Sequence, residues 1–483
     1  MIQNLISLPL AATVATGGHS LGYLIGVLVA AVALLLILII GVRLQAFLAL
    51  IIVSAVTAML AGMDITEIPK AIEKGMGSSL GFIAVIIGMG AMFGVMLEHS
   101  GGAQKLANTL IKWFGESRAH WAMLLTGFVI SIPVFLDVAL VIVASVLFSL
   151  TKRTGKSLLV FGLPLVVGMA VTHAFVPPTP GPAYVAYTLG VDLGTMILIG
   201  IVVGLPTAII TTLFARKMGE SMHLPVPENI DVAPEMPESE LPSFAPVAFI
   251  IALPILLILA GTGVERFIVG TDMPEGLNNS DFGTELARRL KESATWIKTI
   301  SFLGKPIIAL LIGTLAAMLF MASRGGTRDQ LLELSTRSLG PAGIIILITG
   351  AGGVFKGILI STGIADALQQ LFGDSMPLVV IAFLLSLIIR VAQGSATVAM
   401  VTTAALVSSI AADGAFSNAH LALVVVAIAA GATACSHVND SGFWIINRYF
   451  GMSVAQTLKT WSVLSCLIGI IGFSIALLLS FFL

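Results

Sequence analysis

Charge is scarce in this chain of 483 residues: Lys and Arg together number 24, Asp and Glu 25, and only 10% of residues are charged. Soluble globular domains carry about a quarter charged residues, so that class is excluded. A formal net charge of −1 points neither to nucleic acid nor to an acidic partner. There are 2 cysteines, Cys435 and Cys466, both in apolar segments, so no disulfide framework is implied and they leave the compartment open. The start, Met1 to Ser20, lacks the basic stretch of a secretory signal and runs into an apolar segment too long for a signal core. It reads as a leader into a first membrane helix. No Gly-x-x-x-x-Gly-Lys-Ser/Thr loop is present, which argues against ATP-driven transport within this chain. No His-Glu-x-x-His spacing supports an intramembrane hydrolase either.

Apolar residues are abundant instead, at 57% with a mean hydropathy of +1.06. Runs of roughly 18 residues or more, enough to cross ~30 Å of hydrocarbon, lie near Leu21–Ile40, Leu44–Gly62, Leu80–Leu97, Leu158–Val176, Thr195–Ala215, Pro246–Ala260, Phe302–Ala322, Pro341–Ile360, Leu421–Ile446 and Val463–Leu483. Two further stretches, 119–150 and 377–410, are interrupted: the first by Ser131, Pro133 and Asp137, the second by Arg390, Gln393, Gly394 and Ser395. Each is either one long crossing or a re-entrant pair of half-helices.

Charge placement favours the half-helices. With the N-terminus outside, ten crossings and two hairpins gather most basic residues inside, from Arg43 and the Lys152, Arg153, Lys156 cluster to Arg448 and Lys459. The short outer loops keep only Lys70 and Lys74, and the other outer cations fall in a long polar loop near 263–300. Making either interrupted segment a full crossing places Lys152, Arg153 and Lys156 outside or flips the second half.

The chain also repeats itself at an offset near 260 residues. Gly88-Met-Gly-Ala-Met-Phe-Gly-Val-Met-Leu resembles Gly350-Ala-Gly-Gly-Val-Phe-Lys-Gly-Ile-Leu, Asp137-Val-Ala-Leu-Val parallels Thr397-Val-Ala-Met-Val, and Thr172-His173 parallels Ser436-His437. The expected fold is therefore an all-α polytopic membrane protein of two inverted repeats, each with five transmembrane helices and one re-entrant hairpin. Residues 1–219 form the first repeat, 220–244 a cytoplasmic linker and 245–483 the second repeat. Inverted repeats with broken helices near the midplane are a secondary-transporter architecture.

Polar groups at membrane depth carry the chemistry, because ionisable residues there are costly unless paired, hydrated or functional. Four segments qualify. The first hairpin tip holds Asp137, and the second offers Arg390, Gln393, Ser395 and Thr397. One crossing is broken by Thr172-His173-Ala-Phe-Val-Pro177-Pro178-Thr179-Pro180-Gly181-Pro182, since no continuous helix survives four prolines at that spacing. The other is broken by Cys435-Ser436-His437-Val-Asn439-Asp440-Ser441-Gly442. Unwound backbone at that depth must face protein or a wet cavity, and freed amides at half-helix N-termini suit an anion.

These segments are similar to the characteristic blocks of the gluconate permease (GntP) family of the ion transporter superfamily: FLDVALV at Phe135, THAFVPPTPGP at Thr172, GAGGVFKGIL at Gly350, QGSATVAM at Gln393 and CSHVNDSGFW at Cys435. The resemblance spans nearly the whole chain in order. It implies proton-coupled uptake of gluconate or a related sugar acid across a bacterial inner membrane, and an elevator-like fold. Family members also carry related hydroxy acids and D-serine. The QGSATVAM tip lacks the asparagine of sodium-dependent relatives, which favours protons over sodium.

Each candidate residue has two readings. Arg390 either binds a substrate carboxylate, which a guanidinium fork matches, or neutralises Asp440 or Asp137. Lys356 contacts substrate, snorkels, or pairs with an acid. Asp137 and Asp440 are proton-coupling groups or structural partners of a cation. His173 and His437, at pseudo-symmetric places, are proton-coupling groups or satisfied core histidines. Thr172, Thr179, Gln393, Ser395, Thr397, Ser436, Asn439 and Ser441 are expected around the substrate. No metal or other cofactor is expected. The anticipated partners are a small anionic sugar acid, protons, the lipid bilayer and a second copy in a homodimer, with both termini periplasmic.

Overall fold

The computed structural model describes residues 19–132, 136–227, 235–269, 288–364, 367, 376–411 and 416–483, and every regular element among them is helical. In the first half these are α1 (Leu21–Leu36), α2 (Ala46–Leu60), α3 (Ile68–His99), α4 (Gly102–Phe114), α5 (Ala119–Ile130), α6 (Leu136–Thr154), α7 (Leu158–Phe175), α8 (Pro180–Leu189) and α9 (Leu193–Ser221). The second half holds α10 (Phe244–Val269), α11 (Thr295–Gly304), α12 (Pro306–Ser323), α13 (Arg328–Ser361), α14 (Leu378–Gln393), α15 (Ala396–Ala411), α16 (Asn418–Thr433), α17 (Ser441–Tyr449) and α18 (Val454–Ser480).

Helix is the conformation a lipid-embedded backbone adopts to satisfy its own amides, and local signals set the ends. Ser157, Asp192 and Ser417 cap α7, α9 and α16 with their side-chain oxygens. Thr327 and Gln330 form a reciprocal capping box at α13, as do Ser453 and Gln456 at α18. Pro180 and Pro306 occupy first-turn positions, where no amide donor is needed.

Among the described residues, eight helical spans are long and apolar enough to cross a membrane, counting α7 with α8 as one. The other two predicted crossings come out shorter: α2 has 15 residues, and the run near Leu421–Ile446 is divided into α16 and α17 by residues 434–440. Several helices exceed their apolar runs. The run at Pro341–Ile360 lies inside a 34-residue helix, because hydropathy reads only the buried stretch while the capping box starts the helix earlier. The expected outer loop near 263–300 is helical at both ends, and residues 270–287 of it lie outside the described residues. So do residues 228–234 of the linker and the first hairpin tip at 133–135.

The internal repeat is visible in the helices. α2, α3, α7 and α9 begin at 46, 68, 158 and 193, and α12, α13, α16 and α18 at 306, 328, 418 and 454, offsets of 260 or 261 residues. Packing repeats too: α5 with α7 matches α14 with α16, α7 with α9 matches α16 with α18, and α3 with α12 matches α13 with α2. Between the halves, α8 lies on α15 and α17 on α6.

Loop contacts sort the ends onto two faces. On one, Lys105 Nζ lies 2.5 Å from Glu238 and Arg153 Nε 2.8 Å from Glu116. There too the Leu158 amide donates to the Leu224 carbonyl at 2.9 Å, and Gly451 abuts Pro227. On the other, Thr262 Oγ1 donates to Asp192 at 3.1 Å, the Asp192 amide donates to Asn418 Oδ1 at 3.2 Å, and Ser417 Oγ donates to the Leu483 carbonyl at 3.2 Å. α7 and α8 therefore run from the first face to the second, and α16 and α17 from the second to the first. That opposition is the inversion. The Arg153 and Glu116 pair also returns α6 to the face from which α5 started.

Buried packing is tight where the first hairpin meets α7. Gly127 of α5 faces the Leu165 carbonyl, and Gly168 of α7 faces the Leu124 carbonyl and lies so close that an added methyl would sit 2.8 Å from the Phe128 amide nitrogen. Only backbone is available to yield there. Gly168→Ala is expected to destabilise the protein by about 1–3 kcal/mol, seen as a lower melting temperature in detergent. Gly90→Ala, where nothing lies within 4 Å, should melt unchanged or slightly higher because alanine is the better helix former. Equal melting temperatures for Gly168→Ala and the parent would contradict this packing.

Candidate functional site

α14 ends at Gly394, whose φ of +86° is left-handed and whose amide returns to the Arg390 carbonyl at 2.9 Å. Glycine is required twice over, since a side chain here would also run into the Asn439 carbonyl. The second hairpin tip and the break between α16 and α17 thus touch backbone to backbone. The break begins at Cys435, which takes φ +56° without being glycine. A turn closed by the Asp440 amide on the His437 carbonyl at 2.9 Å then leads into α17.

Arg390 occupies the last turn of α14 and is 3% exposed; its Nη2 lies 2.5 Å from Asp440 Oδ2, whose side chain is 12% exposed. Such a pair is little screened by water. Its other nitrogens differ: Nη1 donates to the Gly394 carbonyl, and the buried Nε has no acceptor among the described residues. Asp440 is equally engaged. Oδ2 also accepts from Ser436 Oγ, and Oδ1 caps α17 by accepting from the Gly442 amide at 3.0 Å. Ser436 Oγ accepts in turn from Trp461 Nε1 at 2.7 Å, and the Ser436 amide donates to Ser465 Oγ at 2.9 Å.

The structure therefore assembles Arg390, Gln393 and Ser395 of the tip with Ser436, Asn439 and Asp440 of the break. Gln393 Nε2 donates to the Ser395 carbonyl at 2.7 Å, Ser395 Oγ accepts from the Val398 amide at 3.4 Å, and Asn439 Nδ2 donates to the Val391 carbonyl at 3.0 Å. Thr397 follows in the first turn of α15, partly buried, and Ser441 is exposed at the start of α17. His437 Nδ1 donates to the Cys435 carbonyl at 2.8 Å.

The remaining candidates lie elsewhere. Thr172 and His173 sit near the end of α7, where the Thr172 hydroxyl is fully buried with no hydrogen-bond partner among the described residues. Thr179 caps the start of α8 and its hydroxyl donates to the Val176 carbonyl at 2.8 Å. Lys356 of α13 stands apart from the Arg390 cluster, donating at 2.7 Å to the Thr188 carbonyl in the last turn of α8. A cation there satisfies a helix C-terminus. Asp137 lies in the first turn of α6, and its side chain lies outside the described residues.

Trp461 and Ser465, one helical turn apart on α18, were missed by sequence reasoning. The available signal was an indole N–H and a hydroxyl within an apolar run, which require partners when buried. A π-turn over Leu458–Ser462 carries Trp461, and such turns recur at functional sites.

Residues 23–482 match the model of the GntP family permease. The chain is 37% identical over 447 residues to a low-affinity gluconate transporter of Escherichia coli, covering 92% of this chain and 95% of that one. It is 35% identical to a gluconate permease of Bacillus licheniformis (93% and 97% covered) and 34% identical to an L-idonate transporter of Escherichia coli (92% and 96%). Among solved structures, the Alcanivorax borkumensis YdaH transporter superposes with a TM-score of 0.56 at 12% identity, covering 86% of this chain and 88% of that one, which shows a shared fold. With a whole-length family match and a bundle of eight apolar spans, this chain belongs to the GntP permease family, multi-pass membrane permeases rather than enzymes.

Proposed function

We propose that the protein takes up gluconate or a closely related sugar acid together with protons across the bacterial inner membrane. The buried Arg390 and Asp440 pair at the meeting of hairpin tip and helix break carries this reading. In the empty site the two charges compensate each other. A proton on Asp440 removes the negative partner, and the guanidinium then offers its fork to a substrate carboxylate. Both the empty and the fully loaded site keep Arg390 neutralised, whereas substrate alone or proton alone leaves an uncompensated charge at depth, which is strongly disfavoured. That rule couples the two ligands. One proton merely neutralises one monovalent anion, so uptake driven by the membrane potential needs a further proton, for which Asp137, His173 and His437 are the candidates. Thr172, Thr179, Gln393, Ser395, Thr397, Ser436, Asn439, Ser441 and Lys356 are assigned to the hydroxyl-rich remainder of the substrate, reached as the two halves move. The printed names of relatives support the substrate class, gluconate for two and L-idonate for a third. The alternative within the same fold and coupling is another small hydroxy acid or D-serine.

The face bearing Lys105, Arg153 and the linker is assigned to the cytoplasm by its basic residues, which places both termini in the periplasm, the first hairpin entering from inside and the second from outside. The hairpins and broken helices form a transport unit that travels past a scaffold of α1, α2 and α10 to α12, and that scaffold forms a homodimer. Uptake into proteoliposomes under an imposed pH gradient, with gluconate, L-idonate, glycerate, fructuronate and D-serine in parallel, tests the substrate directly; accumulation of none of them would remove the proposal.

Three further outcomes are expected. Arg390→Lys replaces a fork by a point charge and should raise the half-saturating gluconate concentration by about one to two orders of magnitude while the protein remains monodisperse; an unchanged value would exclude Arg390 from the site. Asp440→Asn should reduce pH-driven accumulation to the level seen without a gradient and spare counterflow exchange, so normal accumulation in a folded variant would move the proton elsewhere. For the moving unit, cysteines on α14 and α1, which touch in this structure, are introduced after replacing Cys435 and Cys466. Some pairs should cross-link only in inward-facing protein and others, a helical turn or more away, only in outward-facing protein; one set persisting through the cycle would leave a fixed-site mechanism.

A further inference from the structure

The chain's 2 cysteines face each other: Cys435 Sγ lies 3.1 Å from Cys466 Sγ, across 31 residues of sequence, with both thiols free and both side chains partly accessible. Nothing in the reading of function uses them. Their position does matter, because Cys435 opens the break that presents Ser436 and Asp440 to Arg390, while Cys466 follows Ser465 on α18. Three consecutive contacts join the break to one side of that helix: the Cys435 and Cys466 thiols, the Ser436 amide on Ser465 at 2.9 Å, and Trp461 on Ser436 at 2.7 Å. The last two are hydrogen bonds that can exchange; the first can become covalent.

We propose that Cys435 and Cys466 form a redox-responsive dithiol, oxidised by hydroperoxides to a disulfide that fastens the broken crossing to α18 and slows transport. The step balances. One thiol attacks the peroxide oxygen, giving a sulfenic acid and one water; the second attacks that sulfur, forming the S–S bond with loss of a second water, so that two thiols and one hydrogen peroxide yield one disulfide and two waters. The covalent bond fixes Cys435 to α18 beside Ser436 and so restricts the rearrangement that proton and substrate binding demand of Asp440. A thiol or thioredoxin-type reductant restores the open pair.

The transport consequence rests on the proposed gluconate uptake, so thiols and transport are measured separately. Full-length protein in proteoliposomes is treated with hydrogen peroxide, then denatured and alkylated with maleimide, and its intact mass is determined with and without prior dithiothreitol; gluconate uptake is followed on the same sample. Both maleimide additions are expected to vanish together and to return after dithiothreitol, with initial uptake at least fivefold lower in the oxidised state and recovered on reduction. Cys466→Ala should retain uptake and lose the reversible response. Two maleimide additions after peroxide, a sulfenic or sulfinic acid on one cysteine alone, a disulfide between two chains, or an oxidised protein with undiminished uptake would each overturn the proposal. If untreated protein takes up no gluconate, the functional reading fails by itself, and the mass measurement still decides whether the dithiol closes.

Discussion

A guanidinium shielded from water inside a membrane-spanning bundle is stable only with a carboxylate and further acceptors around it. In this protein Asp440 supplies the carboxylate and the Gly394 carbonyl a further acceptor, and much of the second half is arranged so that both can be there. α14 has to stop at a left-handed glycine to expose that carbonyl. The crossing formed by α16 and α17 has to unwind so that Asp440 caps α17 and faces Arg390 at once. α18 then has to bring Trp461 and Ser465 to Ser436, because an unwound segment at this depth leaves amides and hydroxyls that water cannot satisfy. Remove the carboxylate and each of these adjustments loses its purpose.

The duplication explains how such a costly site is supported. Corresponding helices in the two halves pack in corresponding ways, and each broken crossing lies against the hairpin of the opposite half, α8 on α15 and α17 on α6. The first break is thereby enclosed by protein, with residues 176–182 buried, whereas Val438 and Asn439 of the second remain exposed. The halves differ where it matters chemically. The first break is stiffened by four prolines and bears Thr172 and Thr179, whereas the second is built of small polar residues and carries the charge. Symmetric packing thus holds an asymmetric distribution of polar and charged groups. Lys356 shows the same demand in small: its ammonium satisfies the Thr188 carbonyl in the last turn of α8, a short helix that the prolines create and that needs its C-terminus covered.

Much of this was legible in the chain, and the reasons are local. Hydrocarbon crossing is a property of contiguous residues, so nearly every span could be read from composition alone, and an odd number of crossings per repeat makes the repeats inverted. The four polar interruptions stood out because polar side chains and prolines are unfavourable in the middle of a lipid-facing helix, wherever the rest of the protein lies. Helix ends were less legible: α3 and α13 extend beyond their apolar runs, α13 starting at a capping box and α3 at a first-turn proline, neither of which hydropathy reads. The division of α16 from α17 was marked by Ser436, Asn439 and Asp440, but the left-handed turn at Cys435 carried no glycine to signal it.

What the sequence by itself determined is the medium, the inverted duplication and the short list of polar groups at membrane depth, since each follows from the free energy of placing one residue type in lipid. What only the tertiary structure decided is who meets whom. Arg390 had Asp137 and Asp440 as possible partners on charge alone, and it is the approach of Gly394 to Asn439 that delivers it to Asp440, 50 residues away. Trp461 and Ser465 entered the site, and the two cysteines came to face each other, only through the packing of α18 on α16. Pairings of this kind depend on distances between segments remote in the chain, and no local free energy encodes them.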